Sequence, residues 1–271
     1  MPNEVRSSSW CQGQVLPDEA VGALNLASDS KAEFGVVAVV ITHDCDLVNN
    51  REPYVEVIVG RRIGATNGNF THGKSPRTLH LGFCLGGGAV SVELQARNKK
   101  QLGKKDLADY APNATWSLDA DNLSILQRWL ASRYRRAAFP DAFEACLRNA
   151  RLDRTLANTV EPLGALVRAV YFDVTESGTA ESLVYELDIV LVYDAYHVNG
   201  LAQAEEADRA IEETFLQRLD NGSNPNTHAI DFRSCRAISD EALTYKQSLE
   251  LKQWRLDYLS LRDDPQQNMP E

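Results

Sequence analysis

Val36-Val37-Ala38-Val39-Val40-Ile41 carries no polar side chain and stops abruptly at Thr42-His43-Asp44-Cys45-Asp46. Successive side chains of a strand point to opposite faces, so a run that is apolar at every position predicts a strand buried on both. A second strand, Tyr54 to Gly60, follows the turn-forming Asn49-Asn50-Arg51-Glu52-Pro53 at a spacing suited to adjacent pairing. Arg77 to Phe83 and Ala89 to Ala96 flank Gly86-Gly87-Gly88 and read as a hairpin. That triple glycine lacks a following Gly-Lys-Ser/Thr and precedes a strand, so it reads as a turn rather than a phosphate cradle. Residues 1–112 therefore read as a mainly β domain of barrel-like character.

Beyond Pro112 the apolar spacing changes. Leu123, Leu126, Leu130 and Tyr134 recur at helical intervals behind Asp119 or Asp121 as a cap, and Pro140 stops that helix. A second helix with Phe143, Leu147 and Ala150 inward runs to about Leu156, which makes 113–160 a helical hairpin. Residues 161–265 alternate again. Leu166 to Val174 and Leu183 to Tyr193 read as strands around Glu176-Ser177-Gly178, and a helix from Ala204 to Leu219 faces inward with Ala204, Ala207, Ile211 and Phe215. A strand from His228 to Cys235 precedes a C-terminal helix that begins near Ser239 and carries Leu251, Trp254, Tyr258 and Leu261 on one side; 266–271 is a polar tail. Hairpins and helices without strict βαβ alternation predict an α+β protein.

The 271 residues carry 28 Lys and Arg against 38 Asp and Glu, a net charge of −10, which disfavours nucleic acid as a partner of the whole chain. The charge is unevenly spread. Residues 1–60 have net −6, 61–154 net +8 and 155–271 net −12. Arg97, Lys99, Lys100, Lys104 and Lys105 form the core of the basic middle, joined by Arg128, Arg133, Arg135 and Arg136. Either this block packs against the acidic third block or it binds an acidic partner; the absence of interleaved aromatics removes a base-stacking platform. Five scattered cysteines without Cys-x-x-Cys spacing read as reduced thiols. The N-terminal residues show no secretory or transit segment and the apolar runs are too short to span a bilayer, so the expected location is the cytoplasm, with no membrane partner.

One segment carries chemistry. If the strand continues past Ile41, His43 and Cys45 share one face and Asp44 and Asp46 the other. Asp44 and Asp46, with Glu56 from the next strand, are then oxygen ligands for Mg²⁺ or Mn²⁺, a set suited to phosphate-ester hydrolysis, with His43 as acid or base. Cys45 beside His43 offers a thiol nucleophile. The competing reading is structural: Asp44 or Asp46 caps a turn or a one-turn helix through Leu47 and Val48, and Cys45 is a small core residue. His72 and His80, with Cys84 four residues after the latter, offer further metal ligands but lack the second close ligand pair of a zinc site.

Trp10-x-Gln12-Gly13, Ile41-Thr42-His43-Asp44-Cys45-Asp46-Leu47, Arg128-Trp129-Leu130-Ala131-x-Arg133-Tyr134 with Phe139-Pro140-Asp141, and Asp257-Tyr258-Leu259-Ser260-Leu261-Arg262 resemble a family of uncharacterised bacterial proteins. The resemblance spans most of the chain, and Asp44-Cys45-Asp46 is its most distinctive part. It implies a bacterial cytosolic protein from mobile or phage-defence gene neighbourhoods and transfers no catalytic role. Val36 to Gly60 is also similar, over a short length, to the small barrels of plasmid-addiction ribonuclease toxins. Two expectations follow: a metal-dependent hydrolase of a phosphate-containing substrate, or a non-catalytic interaction subunit of a bacterial multiprotein system whose basic middle binds an acidic partner.

Overall fold

The computed structural model describes residues 10–26, 35–132, 134, 139–179, 182–220 and 229–255, which divide into two units. Unit 1 takes its described residues from 1–66 and 76–133, unit 2 from 67–75 and 134–271. The helical hairpin expected over 113–160 is accordingly not a block of its own: its first helix lies in unit 1 and its second in unit 2.

In unit 1, a short helix α1 (Asp18–Ala23) precedes strand β1 (Val36–Val40). The apolar run feeds two cores, as its composition requires: Val37, Val39 and Ile41 enter one, Ala38 and Val40 the other. Helix α2 (Asp44–Val48), β2 (Tyr54–Ile63), β3 (Thr78–Leu85), β4 (Gly88–Gly103), β5 (Trp116–Ser117) and α3 (Ala120–Ser132) follow. The strands form a curled antiparallel sheet in the order β1-β2-β4-β3-β5. The hairpin turns on Gly86 and Gly87, both at positive φ, with Leu85 paired to Gly88. Strand β4 extends to Gly103, so Arg97, Lys99 and Lys100 stand on a strand. Helix α3 covers one sheet face with Leu126 and Trp129, while Tyr134, expected in the same stripe, is exposed. The outer edge of β1 is paired: Gly13 N donates to Val40 O, Val40 N to Gln14 O and Leu16 N to Ala38 O, at 2.8–2.9 Å. That edge therefore offers no template for strand addition.

In unit 2, α4 (Asp141–Asn149) and α5 (Leu152–Val160) replace the single helix expected to run to Leu156. Arg151 adopts a left-handed conformation, φ 56°, which breaks the helix between them. Strands β6 (Val167–Thr179) and β7 (Ser182–Tyr193) pair as a hairpin, helix α6 (Gly200–Asp220) crosses over, and β8 (Ala229–Ser239) returns parallel to β7. The inward residues of α6 are those its period predicts: Ala204, Ala207, Ile211 and Phe215 are all buried. Helix α7 (Tyr245–Glu250), opened by a capping box between Thr244 and Gln247, is one short piece, and Lys252–Trp254 is a strand, β9, on the edge of β6. Trp254 thus stacks on Phe172 at 5.6 Å from a strand instead of lining a helix. Tyr258 and Leu261 lie outside the described residues. Among the described residues no helix is long and apolar enough to cross a membrane.

Candidate functional site

Strand β1 ends at Val40, and the chain turns into α2 at Asp44. Asp46 N and Leu47 N both donate to His43 O, at 2.9 and 3.1 Å, and His43 is the N-cap residue, its ring Nδ1 accepting from Cys45 N at 3.3 Å. The alternating face expected for an extended Thr42–Asp46 is therefore not formed. Residues two apart on a helix diverge by about 200°, so Asp44 and Asp46 point away from one another. Leu47 is buried and pins the turn to the core, while His43, Asp44, Cys45 and Asp46 are all exposed. Cys45 is thus not a core residue. Among the described residues no three His, Cys, Asp or Glu side chains converge as metal ligands, so Asp44, Asp46 and Glu56 do not form the expected triad.

The capping bond also defines what His43 can do. A ring Nδ1 that accepts from a backbone N–H leaves the neutral imidazole protonated on Nε2. That nitrogen can donate to an oxygen acceptor. It cannot ligate a metal or take a proton while the cap holds. The bond between His43 and Cys45 runs to the backbone amide and not to the thiol, so the imidazole is not placed as a base for Cys45.

Three distant parts of the chain fix this turn. Gln12 N donates to Asp44 Oδ1, Gln12 Nε2 to Ile41 O, and Gln127 Nε2 from α3 to Gln12 Oε1, each at 2.7 Å. Two segments far apart in sequence, Trp10–Gly13 and Ile41–Leu47, meet here. Glu56 N donates to Thr42 Oγ1 at 2.6 Å, locking the start of the turn to β2. At the other end Lys104 Nζ donates to the carbonyls of Asp46 and Asn49, while its backbone N donates to Pro53 O at 2.8 Å. One lysine of the basic middle therefore closes the C-terminus of α2, where a cation is favoured, and ties it to the start of β2. Among the described residues of unit 1, the exposed large apolar side chains are Val48 at 52% and Tyr54 at 48%, and both belong to this corner.

A second polar cluster in unit 1, Arg61–Glu93–His80, escaped the sequence reading. Arg61 on β2 and His80 on β3 are the cross-strand partners of Glu93 on β4. Arg61 Nε lies 2.9 Å and His80 Nε2 3.3 Å from its carboxylate. Burial alone raises the Glu93 carboxyl pKa, but the hydrogen bonds and charges of His80 and Arg61 outweigh it and hold the group at about 2. The unfolded carboxyl titrates near 4.5, so the stabilisation is complete above that pH and is lost as the pH falls toward 2. With Arg61 half exposed and screened by solvent, the expected contribution is roughly 2 kcal/mol. Acid unfolding of Glu93→Gln compared with wild type measures it: the two stability curves should differ at neutral pH and converge near pH 2. The signal was present in sequence as Glu93-x-Gln95-x-Arg97, a polar face alternating with Val92, Leu94 and Ala96.

A third feature also went unread. Gly68-Asn69-Phe70-Thr71-His72-Gly73-Lys74-Ser75 has the Gly-x₄-Gly-Lys-Ser spacing of a phosphate-binding loop. A phosphate loop aims backbone N–H groups at its ligand and opens a helix. This one runs into strand β3, and Lys74 turns inward, donating to Gly68 O at 2.9 Å, Thr71 Oγ1 at 3.0 Å and Gly164 O at 3.3 Å. The loop is an oxygen cage around an amine, the reverse polarity of a phosphate cradle. Searches against family models, curated proteins and solved structures return no match for the chain.

Proposed function

We propose that the chain is an interaction subunit of a bacterial multiprotein system, and that it engages its protein partner through the Thr42–Asp46 corner of unit 1. The observation that carries this reading is the coincidence of a hydrogen-bond-fixed polar turn, exposed from His43 to Asp46, with the two exposed apolar side chains Val48 and Tyr54. Gln12, Thr42 and Lys104 immobilise a turn whose side chains contribute little burial themselves. A pre-ordered surface loses less entropy on association. A tyrosine with a neighbouring aliphatic residue, rimmed by charges, is the composition of an interface centre with a polar border. The rim has both signs: Asp44 and Asp46 on α2, and Lys105 just beyond β4. The partner surface implied is an apolar pocket bordered by basic groups facing Asp44 and Asp46 and acidic groups facing the basic middle.

A second reading, a metal-dependent hydrolase acting on a phosphate-containing substrate, keeps one observation on its side. Asp44, Asp46 and Glu56 are all exposed, and the backbone of Glu56 pairs directly with Ile41 and Thr42, so a rearranged turn could gather them around Mg²⁺ or Mn²⁺.

A photo-crosslinking residue in place of Tyr54, expressed in the native host, distinguishes the two. The interaction reading expects a discrete protein adduct that Asp44→Ala with Asp46→Ala abolishes, while the melting temperature is unmoved by Mn²⁺. No adduct, or an adduct indifferent to the double substitution, overturns it. A rise in melting temperature with Mn²⁺ that disappears in the double variant supports the metal site that the hydrolase reading needs and counts against the interaction reading.

A further inference from the structure

We propose that residues 67–75 form a proton-controlled latch on unit 2, docked while Lys74 is neutral and released when acidification fixes a charge on it. The docking is built from small groups. The Cα atoms of Gly68 and Gly164 lie so close that a Cβ on Gly164 would stand 2.2 Å from Gly68 Cα. Asn67 Nδ2 donates to Glu161 Oε1 at 2.9 Å, Thr71 Oγ1 reaches Gly164 O at 2.9 Å, and Arg255 donates to Gly73 O at 3.3 Å. Docking carries Lys74 to 3% exposure.

The cage around Lys74 is satisfied in both protonation states. As an ammonium, Nζ donates to two carbonyls and to Thr71 Oγ1, whose own proton goes to Gly68 O or Gly164 O. As a neutral amine, it donates to the two carbonyls and accepts from the Thr71 hydroxyl. Nζ itself makes three hydrogen bonds in either state, the neutral amine forgoing only the bond from the Thr71 hydroxyl to a carbonyl, and among the described residues no carboxylate is bonded to the nitrogen. Of the groups packed around it, Glu161 is engaged by Asn67. Asp194 on the turn after β7 takes Arg168, and Asp240 beyond β8 stands 3.8 Å from the same guanidinium. Arg168 on β6, which also contacts the ring of His72, and Arg255 beyond β9 are like charges. Burial first and Arg168 second lower the Lys74 pKa to about 7. A released lysine keeps its ordinary value of 10.5. The released segment therefore holds the proton more tightly than the docked one, and docking strengthens as pH rises above 7.

Amide hydrogen exchange of the 67–75 segment, corrected for intrinsic rates and followed from about pH 6 to about pH 8.5, tests the latch. Protection of the segment relative to β6 is expected to rise about tenfold or more across that range in the wild type and to stay flat in Lys74→Met. Arg168→Gln, which removes the like charge, is expected to move the midpoint to higher pH and keeps the test decisive if Lys74→Met fails to fold. Equal wild-type protection at both ends of the range, the same rise in Lys74→Met, or an unmoved midpoint in Arg168→Gln overturns the proposal.

Discussion

Gly68→Ala is expected to destabilise unit 2 by about 3–5 kcal/mol, seen as a lower urea midpoint with an unchanged slope. A Cβ at this position would lie 1.8 Å from Glu161 O and 2.7 Å from Gly164 Cα. Both obstacles are backbone atoms, so no side-chain rotation relieves the overlap. The segment has to lift away from 161–164, and Lys74 then loses Gly164 O as an acceptor, as does Thr71. Gly164→Ala should behave alike. Gly22→Ala is the control: its Cβ meets nothing within 4 Å in helix α1, where alanine is favoured by roughly 1 kcal/mol over glycine. Wild-type midpoints for both Gly68→Ala and Gly164→Ala would show that the two glycines are not packed back to back.

Phe143→Ala should cost a similar amount, about 3–5 kcal/mol, through a cavity at the centre of the unit 2 core. Phe143 is fully buried and stands 5.5 Å from the ring of Tyr185, 5.7 Å from Phe139 and 6.2 Å from Phe172. The rings come from α4, the residues before it, β6 and β7, so no single neighbour can fill the space without moving an element. Phe143→Leu retains most of the apolar volume and should lose about 1–2 kcal/mol. Equal midpoints for the alanine and leucine variants would contradict a close-packed site.

Where the sequence foretold the fold, a local period was the reason. Val36–Ile41 announces a doubly buried strand because every position is apolar, and α6 announces its inner face at Ala204, Ala207, Ile211 and Phe215. Where it misled, a local period had two solutions. Leu251, Trp254, Tyr258 and Leu261 fit a helical stripe, yet the edge of β6 offers unpaired backbone groups, and Lys252–Trp254 pairs there as β9. Thr42–Asp46 was readable as an extended end or a helical turn; the His43 ring on Cys45 N and the buried Leu47 decide for the turn. That choice separates Asp44 from Asp46 and turns the expected metal face into an exposed corner.

Composition and periodicity thus determined the fold class, the doubly buried strand β1, the glycine hairpin and the buried face of α6, because each depends on residues within a few positions of one another. The tertiary structure alone decided which polar groups meet. Gln12 bonds Asp44 across 32 positions, Gln127 bonds Gln12 across 115, and Lys74 finds Gly164 across 90. A hydrogen bond acts over about 3 Å, and nothing in a residue's neighbours along the chain reports which distant donor the packing of helices and strands will bring that near.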